Sequence, residues 1–372
     1  MRRKQTEQIL KDLQNKMVII TGPRQVGKTW LAKDIAGHYE NAVYLNHDSM
    51  EDRRLIRNKA WLDKTELLVL DELHKMSGWK NYLKGLYDTK PDYLKILVTG
   101  SASLDTFRRD GDSLAGRYFR HRLNPLSIAE IPDADEGCID RLIKRGGFPE
   151  PYLAEDDSHS DRWRMQYVDG LIRTDILDFE KIRDLKAIET TLELLRRRVG
   201  SPVSVSSLSE DLACSPHTIK RYIDILEALY IIFRVTPYTN NIARSILKEP
   251  KIYFYDTGLV VGDEGAQFEN MMAISLLKHC HFIEDSKGKR ASVHYLRTKE
   301  KKEVDFALAV EGEEILLLEV KVSDKKISPA LIYFHDKYQL PAIQVVKNLK
   351  QGFKDTTIEV HPALDFLRGL SL

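Results

Sequence analysis

Met17-Val18-Ile19-Ile20-Thr21, followed by Gly22-Pro23-Arg24-Gln25-Val26-Gly27-Lys28-Thr29, decides the fold of the first part of this 372-residue chain. The apolar run predicts a buried strand, and Trp30-Leu31-Ala32-Lys33-Asp34-Ile35-Ala36 predicts a helix, so a glycine-bounded loop joins strand to helix. Glycines at that spacing let backbone N–H groups turn inward around phosphates, and the new helix offers them its positive end. Gly22 through Thr29 therefore reads as a loop for a nucleoside triphosphate. Lys28 is placed to reach the outer phosphates, and the Thr29 hydroxyl to hold Mg²⁺.

Working outward, Leu67-Leu68-Val69-Leu70-Asp71-Glu72 predicts an apolar strand ending in two carboxylates. Asp71 is placed for the Mg²⁺ shell and Glu72 to polarise an attacking water, which would make the chain a hydrolase rather than a nucleotide binder alone. A third strand, Lys95-Ile96-Leu97-Val98-Thr99, runs into Gly100-Ser101, so Thr99 and Ser101 are candidates to sense the last phosphate. Arg117, within Leu114-Ala115-Gly116-Arg117, is a candidate arginine finger, with Arg108, Arg109, Arg120 and Arg122 near it in sequence.

These stretches, with Val98-Thr99-Gly100-Ser101-Ala102-Ser103, Ser113-Leu114-Ala115-Gly116-Arg117-Tyr118-Phe119, Asn124-Pro125-Leu126-Ser127-Ile128-Ala129-Glu130 and Gly146-Gly147-Phe148-Pro149-Glu150, resemble a family of AAA-type P-loop ATPases. Members of that family join the ATPase to a helical segment, a winged helix and a C-terminal restriction-endonuclease-like domain. The resemblance implies an α/β chain: a P-loop core with a parallel sheet and flanking helices at 1–132, a helical lid or connector at 133–198, a winged helix at 199–240 and an α/β nuclease-like domain at 241–372. It also implies ATP rather than GTP, and a phosphate-sensing role for Arg117, in cis or across a subunit interface; the latter would make a homo-oligomer.

Length and composition agree with several domains. A chain of this size exceeds one core. With 42% hydrophobic and 30% charged residues it reads as well packed rather than disordered. A net charge of +1 means that any nucleic-acid contact must come from local patches. Met1-Arg2-Arg3-Lys4 lacks the apolar core of a signal peptide, no run is long enough to span a membrane, and Cys138, Cys214 and Cys280 lack metal-type spacing. The expected location is cytoplasmic, away from membranes.

The acidic stretch Pro132–Gly137 reads as a boundary, and helical spacing follows, as in Tyr167, Leu171 and Ile172. Leu208–Ala213 and a helix reaching Leu229, capped by Ser215 and opened by Pro216, read as a helix-turn-helix, with Tyr230–Val235 as its wing. Its outer face carries His217, Thr218, Lys220 and Arg221, candidates to contact DNA and equally consistent with a solvated face on a packing module.

Glu303–Val310 and Ile315–Val322 predict a hairpin around Glu311-Gly312-Glu313. A pivot at Gly312 sets Asp305 opposite Glu319, with Cβ atoms about 4.5–5.5 Å apart, an arrangement unfavourable without a cation between them. Lys321 shares their face. Acid, then acid-x-Lys, is the constellation of the restriction-endonuclease-like fold, in which Asp305 and Glu319 would hold Mg²⁺ and Lys321 would activate water or stabilise the phosphorane-like transition state. The resemblance adds Glu269 as a third acid. Tyr253-Phe254-Tyr255-Asp256-Thr257-Gly258-Leu259 also resembles a family segment, and reads as a strand end with an Asx turn. Two functions stay open: an ATP-hydrolysing AAA-type protein acting on DNA, with or without Mg²⁺-dependent cleavage, and a nucleotide-dependent switch whose C-terminal modules bind protein partners.

Overall fold

Val18, Ile20, Leu67 and Leu70 have no solvent exposure, which is why their strands read as unbroken apolar runs: both faces of a parallel sheet are covered. The computed structural model describes residues 3–100, 114–175, 184–239, 248–324, 326–355 and 357–372 and divides into two units, Met1–Asn124 and Pro125–Leu372.

The first unit contains α1 (Thr6–Asp12), β1 (Met17–Thr21), α2 (Lys28–Ala36), β2 (Ala42–Asn46), α3 (Met50–Asn58), β3 (Leu67–Asp71), α4 (Trp79–Thr89), β4 (Lys95–Thr99) and β5 (Tyr118–Arg122). Its sheet has the order β2-β3-β4-β1-β5, and every pairing is parallel. All five strands therefore end at one edge, where the Gly22–Thr29 loop, Asp71 and Thr99 come together. At the loop's start, Gly22 has φ +145°, and a Cβ there would lie 2.2 Å from the Leu123 carbonyl oxygen. Only glycine fits that approach of β1 to the end of β5.

The second unit begins with helices α5 (Glu136–Arg145), α6 (Pro149–Leu153), α7 (Asp157–Gly170), α8 (Leu185–Arg196), α9 (Val205–Asp211) and α10 (Pro216–Ala228). It continues with β6 (Ile232–Pro237), β7 (Lys251–Phe254), α11 (Glu264–Lys287), β8 (Ala291–Arg297), β9 (Glu303–Val310), β10 (Leu316–Lys321), α12 (Pro329–Tyr338), β11 (Ala342–Val346), β12 (Phe353–Asp355), β13 (Ile358–Pro362) and α13 (Ala363–Gly369). These strands form one sheet, β12-β13-β11-β10-β9-β8-β6-β7.

The segment Pro125–Glu130 belongs to the second unit, because Lys278 of α11 donates to the Pro125 carbonyl at 2.8 Å and pairs with the Glu130 carboxylate, both ionic side chains being buried. The strand expected as the wing is β6, which pairs with β7 on one side and in parallel with β8 on the other. Its alternation of buried and half-buried residues suits a sheet interior. The Asx turn is present: Asp256 accepts from the Gly258 N–H at 3.1 Å. Asp256 also pairs with Arg164 of α7 at 2.8 Å, a buried link that its neighbours in sequence do not announce.

Candidate functional site

The loop after β1 is held by backbone that few residues adopt. Gln25 and Gly27 have φ of +58° and +99°, and α2 starts at Lys28, immediately after Gly27. Lys28 is buried and its ammonium donates to the Gly22 carbonyl at 3.0 Å and to that of Pro23, so the side chain folds back over its own loop. The Thr29 hydroxyl donates to Asp71 Oδ2 at 2.9 Å.

Asp71, 1% exposed, is the hub of this edge. Its Oδ2 also accepts from the Tyr44 hydroxyl, while Oδ1 accepts from the Thr99 hydroxyl and, at 3.1 Å, from the Glu72 N–H. Four donors, from β2, β4, the loop and the residue after β3, thus fix one carboxylate. Thr29 and Asp71 are a hydroxyl and a carboxylate side by side at a phosphate loop, a donor set that suits Mg²⁺. Burial, and then Asp71, push the Tyr44 hydroxyl well above its ordinary range, so it remains a donor. Tyr44→Phe should lower ATP turnover about 10-fold at limiting Mg²⁺, the usual effect of losing a group that orients a metal-binding carboxylate. Phosphate release titrated against Mg²⁺ checks this, and an unshifted Mg²⁺ dependence would count against the positioning role.

Glu72 adopts φ +54°, a left-handed conformation costly for a non-glycine residue and often found at functional positions. Burial pushes its carboxyl up; Lys28 and Lys75 pull against it, and Asp71 and Asp48 add to it. His74 lies 3.6 Å from its Oε2, and burial together with Lys75, Lys28 and Arg24 pushes that imidazole down to about 4, leaving it neutral near pH 7.

Arg117 is elsewhere. β5 runs parallel to β1 with Tyr118 opposite Met17, and the Arg117 carbonyl accepts from the Met17 N–H. Arg117 therefore sits at the amino-terminal edge of the sheet, about five residues and roughly 16 Å of strand from Gly22. Its guanidinium pairs with Asp88 at 2.8 Å. Strand direction carries Arg117 away from the loop on its own chain, which is one of the two arrangements left open for the arginine finger. Ser101, Arg108 and Arg109 lie outside the described residues.

In the second unit, β9 and β10 pair with Leu318 opposite Phe306, so the next pair in register is Glu319 and Asp305. Asp305 Oδ2 accepts from the Val320 N–H at 2.9 Å, and Lys321 pairs with Glu319 at 2.8 Å. Glu269, on α11, accepts from the Tyr253 hydroxyl at 2.6 Å. A residue that sequence reading passed over joins them. The Lys251 side chain, 1% exposed, lies 2.8 Å from Glu303, 3.2 Å from Glu269 and 3.9 Å from Asp305. Burial pushes the Lys251 ammonium down, but Glu269, Asp305 and Glu303 outweigh it and hold it protonated. Burial, then Glu269 and Glu319, push the Asp305 carboxyl well up, with Lys251 opposing. Among the described residues no group of three His, Cys, Asp or Glu side chains is arranged to hold a metal ion. Of the carboxylates expected to hold Mg²⁺, Glu269 and Asp305 lie beside the Lys251 ammonium, and Glu319 pairs with that of Lys321.

On α10, Ser215 caps the helix by accepting from the Thr218 N–H, and its hydroxyl also bonds that of Thr218 at 2.9 Å. Ile219, Tyr222, Ile223 and Leu226 are buried, whereas His217, Lys220 and Arg221 are exposed. Among the described residues no helix is long and apolar enough to cross a membrane.

Comparison with known proteins agrees with the geometry of the first unit. Residues 14–132 match the family described as AAA domain (AAA_14). Residues 138–265 and 264–364 match two domains of unknown function, DUF8612 and DUF4143. An uncharacterized protein of Mycobacterium tuberculosis is 28% identical over 245 residues, covering 66% of this chain; the chain spans only about half, 55%, of that relative's length. The uncharacterized protein MJ1544 of Methanocaldococcus jannaschii is 24% identical, covering 94% of this chain and 86% of its own. The Walker-type ATPase PABY2304 of Pyrococcus abyssi aligns in structure with a TM-score of 0.44 and 14% identity, over 70% of this chain and 94% of its own.

Proposed function

We propose that this chain hydrolyses ATP in its first unit and acts on DNA through its second. The observation that carries the hydrolytic part is Asp71 and Glu72 at the end of β3, beside Lys28 and Thr29, with Glu72 in a strained backbone conformation. On binding ATP, Lys28 would exchange the carbonyls of Gly22 and Pro23 for phosphate oxygens. Thr29 and Asp71 would hold Mg²⁺, whose charge offsets that of the phosphates. Glu72 would orient a water and accept its proton as the oxygen bonds to the terminal phosphorus and the bond to ADP breaks. Arg117 would contribute positive charge only to a phosphate on another subunit, making an oligomer the active form.

The DNA part is supported by the exposed His217, Lys220 and Arg221 on one face of α10, which together with α9 has the order of a helix-turn-helix. DNA affinity should fall steeply with salt, and Lys220→Ala with Arg221→Ala should reduce the slope of log affinity against log salt by about one for each DNA phosphate no longer neutralised. DNA binding unchanged by both substitutions, or no binding at low salt, would favour the other reading, a nucleotide switch whose second unit binds a protein partner.

A further inference from the structure

Four carboxylates of the second unit face cations that the chain itself supplies. Glu319 pairs with Lys321 at 2.8 Å, Glu303 with Arg297 at 3.2 Å and with Lys251 at 2.8 Å, and Glu269 with Lys251 at 3.2 Å. Asp305 faces Lys251 at 3.9 Å and accepts the Val320 N–H. Lys251 starts the buried strand β7 and is itself buried, with its ammonium 5.5 Å from the centre of the Tyr295 ring. The far side of Glu269 is closed: Gly200 has φ +78°, and a Cβ there would lie 2.6 Å from Glu269 Oε2. A buried ammonium held by several carboxylates is costly to remove, since each of them would then lack a counter-ion.

We propose that Lys251 is the resident cation of the Glu269–Glu303–Asp305 cluster beside Glu319, taking the place of a divalent metal, so that the second unit binds no Mg²⁺ or Mn²⁺ there. This rests on the position of the ammonium and is independent of whether the first unit hydrolyses ATP or the second contacts DNA. Glu319 shows where an ion would go if the lysine were removed. Its Oε2 is buried and has no hydrogen-bond partner among the described residues. It lies on the residue that faces Asp305 across the hairpin, so loss of the ammonium would leave facing carboxylates with one oxygen ready for a cation.

The test is a Mn²⁺ titration, followed by electron paramagnetic resonance and calorimetry, on the full chain without nucleotide. Asp71→Asn is carried throughout so that the ATP site contributes no ion. With Lys251 present, no Mn²⁺ should bind tighter than about millimolar, and EDTA should not shift the melting of the second unit. Lys251→Met, which keeps the length of the side chain and removes its charge, should gain one Mn²⁺ with affinity at least about tenfold higher, and Asp305→Asn should abolish that gain. One Mn²⁺ bound at micromolar affinity with Lys251 intact, and lost in Asp305→Asn, would overturn the proposal. Because the titration with Lys251 intact decides the main point, a Lys251→Met chain that fails to fold would not protect the proposal from that result. Folding of that variant only when Mn²⁺ is added would support it.

Discussion

Glu72→Gln should abolish ATP hydrolysis while leaving ATP bound, with phosphate release falling by about 10²–10⁴-fold, the range over which a positioned general base acts. The substitution keeps the shape of the side chain and removes only the ability to take a proton. Lys28, Thr29 and Asp71, which would make the binding contacts, are untouched, so nucleotide affinity should change little. Glu72 also predicts a pH profile. Burial raises its carboxyl above the usual carboxylate range, so the ionised base is present above that raised value and is lost as the pH falls through it. Turnover should therefore fail on acidification earlier than an unperturbed glutamate would allow. In Glu72→Gln the residual rate should lack this acidic limb. His74 does not contribute it, being neutral down to about 4.

The second large effect concerns stability. Lys278 and Glu130 form an ion pair whose side chains are 1% and 0% exposed. Lys278→Met leaves the Glu130 carboxylate and the Pro125 carbonyl buried without their ammonium. Removing one partner of such a pair costs about 3–5 kcal/mol, whereas replacing both with apolar groups of similar volume is often neutral. Urea unfolding followed in the second unit should show that loss for Lys278→Met and recovery of most of it when Glu130→Leu is added. A change within about 0.5 kcal/mol for Lys278→Met would mean that the segment is held by its apolar packing instead.

The parts of the site that were legible in sequence are those set by local chain geometry. A loop bounded by glycines between an apolar run and a helix, and Asp71-Glu72 at the end of another apolar run, need no knowledge of neighbouring strands. The pairing of Asp305 with Glu319 was legible because a tight turn fixes register, and Gly312 supplies the positive φ, +82°, that the turn requires. What depends on strand order was not legible. Tyr44 reaches Asp71 only because β2 lies beside β3, and Arg117 is far from the loop because β5 runs parallel to β1 and begins at the other edge. Lys251 was hidden for a different reason: its segment reads well as a strand followed by an Asx turn. The signal was present all the same, since a lysine at the head of the apolar run Ile252–Tyr255 must be paired if the strand is buried. The boundary near residue 124 depends on Lys278, which is more than a hundred residues further along the chain.

The central claim, that the first unit hydrolyses ATP through Glu72, is tested most directly by measuring phosphate release and ATP binding side by side for the unaltered chain and Glu72→Gln, with and without duplex DNA. Turnover in the unaltered chain should rise with DNA, and the Glu72→Gln chain should bind ATP equally well and release almost no phosphate. Equal phosphate release by the two proteins would contradict it.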